Sequence, residues 1–306
     1  MAIEKTSSQN PFAEGAAFIE GQYVPIAEAR IPVTDWGFSR SDVTYDVVSV
    51  WGGRFFRLDD HLDRFERSVA GFRMTLPHTR EGTREILHEC VRLAGLREAY
   101  VEVGLTRGVP PPGVRDPRQM QNRFFAYAIP YVWIANDEQR EQGLNLIIST
   151  VQRIPPASVD PRFKNFHWGD LIRGMFEAFE RGGDTPVLVD GAGNVTEGPG
   201  FNIFVLKDGV MHTPATGVLE GITRRSVIEL CEEVGLPLRQ ALVPIALVRQ
   251  ADEVLLSSTA GGILPVTRID GEPLGDGRVG PMTTRLHDLY WHKREQGWHG
   301  TPVRYD

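Results

Sequence analysis

Short apolar stretches broken by tight turns dominate the first part of the chain. The stretch 18–24 bends at Glu20-Gly21, and 45–51 turns at Gly52-Gly53 into 54–58, a spacing that predicts antiparallel hairpins. The period then changes. Asp59 and Asp60 precede Leu62, Phe65, Val69 and Phe72, and apolar side chains three and four apart behind an acidic start predict an amphipathic helix. Ile86, Leu87, Cys90, Val91 and Leu93 predict a second helix, and 99–105 and 124–133 two further strands. The run 135–143 is polar and unpatterned, and is expected to link a domain of residues 1–134 to one of residues 144–306. The second half opens with a strand at 144–151 and a helix at 168–181. Strands broken at Asp190-Gly191 and Lys207-Asp208-Gly209 follow, with helices at 222–234 and 282–293. No repeat is visible, so the expectation is a mixed α/β chain in two domains.

Composition narrows the class. With 306 residues, 41% hydrophobic and 24% charged, the chain is long enough for two cores. A formal charge of −7 and no basic run longer than two residues argue against a nucleic-acid partner. Cys90 and Cys231 sit in helix-like apolar patterns, which fits buried thiols in a reducing compartment rather than a disulfide or a metal site. Residues 1–15 show no apolar leader core and no stretch reaches the length of a membrane span, so a cytoplasmic protein without membrane contact is expected.

The 33 basic residues include only four lysines, Lys5, Lys164, Lys207 and Lys293, the other 29 being arginine. Lysine-dependent chemistry therefore has few candidates. Lys5 lies near the terminus, Lys207 in a predicted turn, and Lys293 near a helix end, where a cation complements the dipole. Lys164 differs, standing between Phe163 and Asn165-Phe166-His167-Trp168 just before a predicted helix. A lysine desolvated among aromatics becomes a usable nucleophile or base, as imine-forming enzymes require; on the residues alone, a snorkelling structural lysine remains the alternative.

Three further segments carry chemistry. Gly221-Ile222-Thr223 opens a helical pattern, where free backbone N–H groups and a hydroxyl can cup an anion, or Gly221 can be a plain cap. Ser257-Ser258-Thr259-Ala260-Gly261-Gly262 follows a strand and can supply hydroxyls to the same anion, or be a tight turn. Glu197 precedes the turn Gly198-Pro199-Gly200 and is either a solvated turn residue or a buried acid with a cationic partner. An imine-forming lysine, an anion cup and a carboxylate are the contacts that a pyridoxal phosphate site needs.

Taken in order along the chain, these segments resemble a known family. Gly-Phe-Ser-Arg-Ser-Asp-Val-Thr-Tyr-Asp at 37–46, Arg-Leu-Asp-Asp-His-Leu-Asp-Arg at 57–64 and Tyr-Val-Glu-Val at 100–103 are its first three motifs. Lys-Asn-Phe-His-Trp-Gly-Asp-Leu at 164–171, Thr-Glu-Gly-Pro-Gly-Phe-Asn at 196–202, Gly-Ile-Thr-Arg at 221–224 and Thr-Ala-Gly-Gly at 259–262 complete the series. The chain resembles the fold type IV, or class IV, pyridoxal-phosphate aminotransferases, the group of D-amino-acid and branched-chain aminotransferases and aminodeoxychorismate lyase, and most of all the (R)-selective amine transaminases.

The resemblance implies a two-domain fold with pyridoxal 5'-phosphate held between the domains, in a homodimer with shared active sites. It makes Lys164 the catalytic residue, which would form an imine with the cofactor aldehyde and then move the substrate proton. Glu197 would hold the pyridine nitrogen, and Arg64, Ile222, Thr223 and Thr259 the phosphate. Tyr45, Val47, Tyr100, Glu102 and Trp168 would shape the substrate pockets; 45 and 47, like 100 and 102, alternate so that each pair faces one side of its strand. Arg40 stands where the (R)-amine group most often has histidine, and Arg115 falls about where that group keeps a mobile arginine. Either is expected to clamp a substrate carboxylate. The implied reaction moves an amino group from an (R)-amine or D-amino acid to a keto acid such as pyruvate by a ping-pong mechanism. A branched-chain aminotransferase or aminodeoxychorismate lyase is the alternative.

Overall fold

In the computed structural model, which describes residues 10–306, two mixed layers face each other. Lys5 lies outside the described residues. The first layer is a seven-stranded sheet in the order Gly300–Pro302, Arg54–Phe56, Val43–Trp51, Ala99–Thr106, Arg123–Pro130, Ala16–Ile19 and Gln22–Pro25. Its neighbours pair antiparallel throughout, as hairpins at Glu20-Gly21 and Gly52-Gly53 require. Alternation decides what each side chain meets. Val48, Val50, Val101, Val103 and Leu105 point to helices Leu58–Gly71 and Arg80–Ala94, packing with Leu62, Phe65, Ile86, Leu87, Cys90 and Val91. Tyr45, Val47, Tyr100 and Tyr127 are left on the other face, which lines a cavity.

The second sheet is built around Phe201–Lys207, Glu253–Ser258, Gly262–Ile269, Leu144–Gln152 and Thr185–Val189. Alternation again splits its apolar residues. Ile203, Val205 and Leu256 enter one core, while Phe204, Leu206 and Leu255 pack with Val227, Leu230, Cys231, Leu286 and Tyr290 of helices Ile222–Glu233 and Pro281–Glu295. Cys90 and Cys231 are free and buried, and burial pushes both thiols up to about 12. Among the described residues, no helix is long and apolar enough to cross a membrane.

Two features depart from the sequence reading. The run 135–143 holds a helix, Asp137–Gln142, because Asn136 accepts from the Gln139 backbone while Gln139 reaches back to the Asn136 N–H. The chain's last strand, Gly300–Pro302, returns to the first sheet beside Arg54–Phe56, and Val303 enters the first core. Residues 300–303 therefore pack with the N-terminal half, because the edge of Arg54–Phe56 offers backbone groups that need partners.

Candidate active site

A cavity of about 760 Å³ opens between the two sheets. Lys164 reaches it from the loop before helix Gly169–Glu180, and the loop is stitched to the first sheet. The Lys164 carbonyl accepts from Thr44 Oγ1 at 2.7 Å and from the Tyr45 N–H at 3.3 Å, and its own N–H donates to Ser68 Oγ at 3.2 Å. The half-buried side chain places Nζ 4.3 Å from the centre of the Tyr45 ring. Lys207 and Lys293 are each paired at the surface, to Asp252 at 2.9 Å and to Glu233 at 2.5 Å. Among the described lysines, only Lys164 lines the cavity.

Arg64 comes from helix Leu58–Gly71 and is 2% exposed. Its Nε and Nη2 donate to the two oxygens of Asp46 at 2.7 and 2.8 Å, and Nη1 donates to the Glu220 carbonyl at 3.2 Å. These bonds do not exhaust the five N–H groups of a guanidinium, so donor capacity remains at the cavity wall. Burial alone would raise the Asp46 carboxyl, but Arg64 and His61, at 2.8 Å, hold it well below the usual carboxylate range.

The N-terminus of helix Ile222–Glu233 meets the same wall. No side chain caps it, so its first N–H groups keep their hydrogens for another acceptor, and Ile222 and Thr223 line the cavity. Gly221 permits the approach, for a Cβ there would lie 2.1 Å from Asn202 Oδ1. Thr259 joins from the turn after strand Glu253–Ser258, positioned by Tyr131, whose hydroxyl donates to the Thr259 carbonyl at 2.8 Å. Ser257 Oγ is buried without a hydrogen-bond partner and also lines the cavity. An orphan hydroxyl, an uncapped helix start and an arginine with spare donors form a donor set with room for a phosphate.

Glu197 stands at the opposite chemical pole. It lies in the two-residue strand Glu197–Gly198, folded back on Phe201 and Asn202 by a turn in which Gly200 takes φ +80°. Its Oε2 accepts the Leu219 N–H at 2.8 Å and its Oε1 accepts Arg153 Nη2 at 3.1 Å, while Arg153 Nη1 donates to Asp170 at 2.7 Å. Burial raises the Glu197 carboxyl, and Arg153 and the Leu219 N–H oppose that rise. Arg153 was not singled out by the sequence, since a lone arginine after a strand carries no pattern; Asp46 and Ser257 stood inside marked segments, without individual roles.

Tyr45, Val47, Tyr100 and Trp168 line the main cavity, and Tyr45, Tyr100, Glu102, Phe166 and Trp168 line an adjoining lobe of about 390 Å³. Arg40 and Arg115 line neither. Arg40 ends helix Trp36–Arg40 with its guanidinium 4.5 Å from the centre of the Trp36 ring, and Arg115 lies exposed in the loop before Pro117.

A protein-family description, amino-transferase class IV, matches residues 44–269 and so takes in the lysine, both acids and the uncapped helix. The chain belongs to the class IV aminotransferases. This aminotransferase is 31% identical over 276 residues to a Methanocaldococcus jannaschii protein named as a branched-chain-amino-acid aminotransferase, covering 89% of this chain and 94% of that one. It is 30% identical over 279 residues to the D-alanine aminotransferase of Listeria monocytogenes, covering 89% and 93%. Among solved structures, the branched-chain amino acid aminotransferase of Escherichia coli superposes with a TM-score of 0.86 at 26% identity, covering 90% and 93%. That of Thermobaculum terrenum, solved in its pyridoxal-phosphate form, gives 0.84 at 26%, covering 94% and 98%. Class IV aminotransferases use pyridoxal phosphate, and the donor set described above fits that cofactor.

Proposed function

We propose that this aminotransferase moves an amino group from an (R)-amine or D-amino acid to a keto acid such as pyruvate. The observation that carries the reading is the adjoining lobe, lined by the rings of Tyr45, Tyr100, Phe166 and Trp168 beside Glu102, where no described residue is an arginine or lysine. Such a lobe suits an uncharged aryl or alkyl substituent. Bound pyridoxal phosphate supplies an aldehyde that captures amines and a ring that accepts electron density from the substrate Cα. Lys164 Nζ, at the cavity wall, is the group that takes and returns the Cα proton. Glu197 holds the ring nitrogen; Arg64, the Ile222 N–H, Thr223 and Thr259 hold the phosphate.

The donor panel that tests this is a half-reaction of the cofactor-loaded enzyme with (R)- and (S)-1-phenylethylamine, D- and L-alanine, and L-leucine, followed by cofactor absorbance. The (R)-amine and D-alanine are expected to bleach the band. A branched-chain aminotransferase is the second reading, favoured by the names of the solved relatives. Bleaching by L-leucine and not by the (R)-amine moves the assignment there.

The proposal includes a homodimer with shared sites. Helix Gly169–Glu180 turns Leu171, Gly174 and Ala178 inward but leaves Ile172, Phe176 and Phe179 43%, 64% and 55% exposed, a second apolar stripe beside the cavity mouth. Val33 and Phe38, flanking Trp36, are also exposed. A second copy covering these faces would bring Arg40 or Arg115 to the site, where either clamps the acceptor carboxylate. If neither Arg40→Ala nor Arg115→Ala raises the KM for pyruvate, the clamp is wrong.

A further inference from the structure

Among the described residues the buried acids are Asp35, Asp46, Glu102, Asp170, Glu197 and Glu253. Five have a cation or a helix start. Asp35 meets Arg123 at 3.2 Å, Asp46 meets Arg64, and Asp170 and Glu197 share Arg153. Glu253 accepts the N–H groups of Met282 and Thr283 at the start of helix Pro281–Glu295. Glu102 has neither. It is 6% exposed, and its side-chain partners are the hydroxyls of Tyr100, at 3.4 Å, and of Tyr127, opposite it in the neighbouring strand, neither of them charged. Lys164, the cation that shares its surroundings, acts on it through space without forming an ion pair within 4.0 Å. Glu102 lines the 390 Å³ lobe.

A buried acid without a counter-charge is a costly thing to keep in a core, and here it borders a cavity instead. We propose that Glu102 selects substrates by charge, so that the lobe it lines admits a neutral substituent and turns away a carboxylate. The inference rests on the transaminase reading and names the class of substituent that enters this lobe. An ionised Glu102 beside a substrate carboxylate sets two like charges against each other, and the buried Glu102 has little solvent of its own to screen them. A neutral Glu102 offers an O–H instead, which a carboxylate accepts.

Burial pushes the Glu102 carboxyl up to about 7; Tyr127, Lys164 and Tyr100 oppose the rise and Asp46 adds to it. Around it stand Tyr100 on its own strand, Tyr127 on Arg123–Pro130, Tyr45 on Val43–Trp51 and Lys164 on its loop, while Asp46 acts from the opposite face of the sheet. A carboxylate directed into this lobe is therefore admitted on the acid side of neutrality and excluded on the alkaline side, whereas a neutral substituent enters on both.

The test uses the cofactor-loaded enzyme and Glu102→Gln. In the wild type, kcat/KM for D-glutamate, whose second carboxylate is left for the lobe, divided by that for (R)-1-phenylethylamine should fall about tenfold between about pH 6 and about pH 8. Ionisations common to both donors cancel in the ratio. The Kd of glutarate, a dicarboxylate with no amino group to transfer, should rise by a similar factor, read from tryptophan fluorescence because Trp168 lines the lobe. In Glu102→Gln both quantities should be flat. A wild-type ratio and Kd that ignore pH, or the same pH dependence in Glu102→Gln, overturn the inference. If no donor bleaches the cofactor, the transaminase reading fails while the glutarate titration still decides the charge selection. Should the variant not fold, judged by its Tm, the wild-type titrations decide alone.

Discussion

Arg153 is the side chain on which two buried acids depend. It donates to both Glu197 and Asp170, and its own guanidinium is largely sequestered, with burial lowering its basicity and the two carboxylates more than restoring it. Arg153→Ala leaves both carboxylates without a cation, which should cost about 3–5 kcal/mol by denaturant titration. The loss should be smaller in acid, where protonated carboxyls no longer need the cation. Arg153→Lys should restore part of it, since an ammonium keeps the charge but not the planar fork. At this scale the sequence told unequal amounts. Lys164 stood out because so few lysines compete with it and because aromatics flank it. Arg64 looked like a solvated helix charge until the family motif marked it, and Asp46, which locks it in place, became visible only once strand Val43–Trp51 and helix Leu58–Gly71 were packed together.

Elements were legible where local chemistry fixes them and illegible where a distant partner does. The hairpins at Glu20-Gly21 and Gly52-Gly53 and the helices Leu58–Gly71, Arg80–Ala94 and Ile222–Glu233 follow from turn glycines and apolar spacing. Helix Asp137–Gln142 is polar all round, so periodicity is silent about it, and its capping box is the signal that could have found it. Strand Gly300–Pro302 exists through its pairing with Arg54–Phe56, which no local pattern encodes. The hairpin carrying Glu197 invites an element-scale prediction. A Cβ on Gly198 would lie 2.4 Å from the Pro186 carbonyl oxygen, a backbone atom with little freedom to move. Gly198→Ala should therefore shift the hairpin, destabilise the fold by about 1–3 kcal/mol and weaken cofactor binding, read from Tm and from the Kd for pyridoxal phosphate. A variant that binds the cofactor as the wild type does would show that Glu197 is not held by this packing.

Across the whole molecule, charge and exposed apolar surface set the behaviour in solution. Glu102 has a carboxyl raised to about 7 by burial from an ordinary value of 4.5. The unfolded chain loses that proton first, so stability from this group is complete below about pH 4.5 and falls as pH rises toward 7, by about 3 kcal/mol in all. Asp46, held low, acts in the opposite sense, its contribution being lost only as pH drops below the ordinary carboxylate range. Glu102→Gln should flatten the dependence between about pH 5 and about pH 7 in chemical denaturation. The apolar stripe Ile172, Phe176 and Phe179 belongs to the proposed dimer face. Phe176→Glu should shift the protein toward monomer in light scattering and lower the transaminase rate with it. A variant that stays dimeric would place the interface elsewhere.

The central claim is that Lys164 alone carries the cofactor and releases it to an (R)-amine. Borohydride reduction of the cofactor-loaded enzyme, followed by peptide mass spectrometry, tests it most directly. The expected label lies on Lys164, disappears when (R)-1-phenylethylamine is added before reduction, and returns after pyruvate. A label on Lys207 or Lys293, or a Lys164 label that the (R)-amine leaves untouched, contradicts the account.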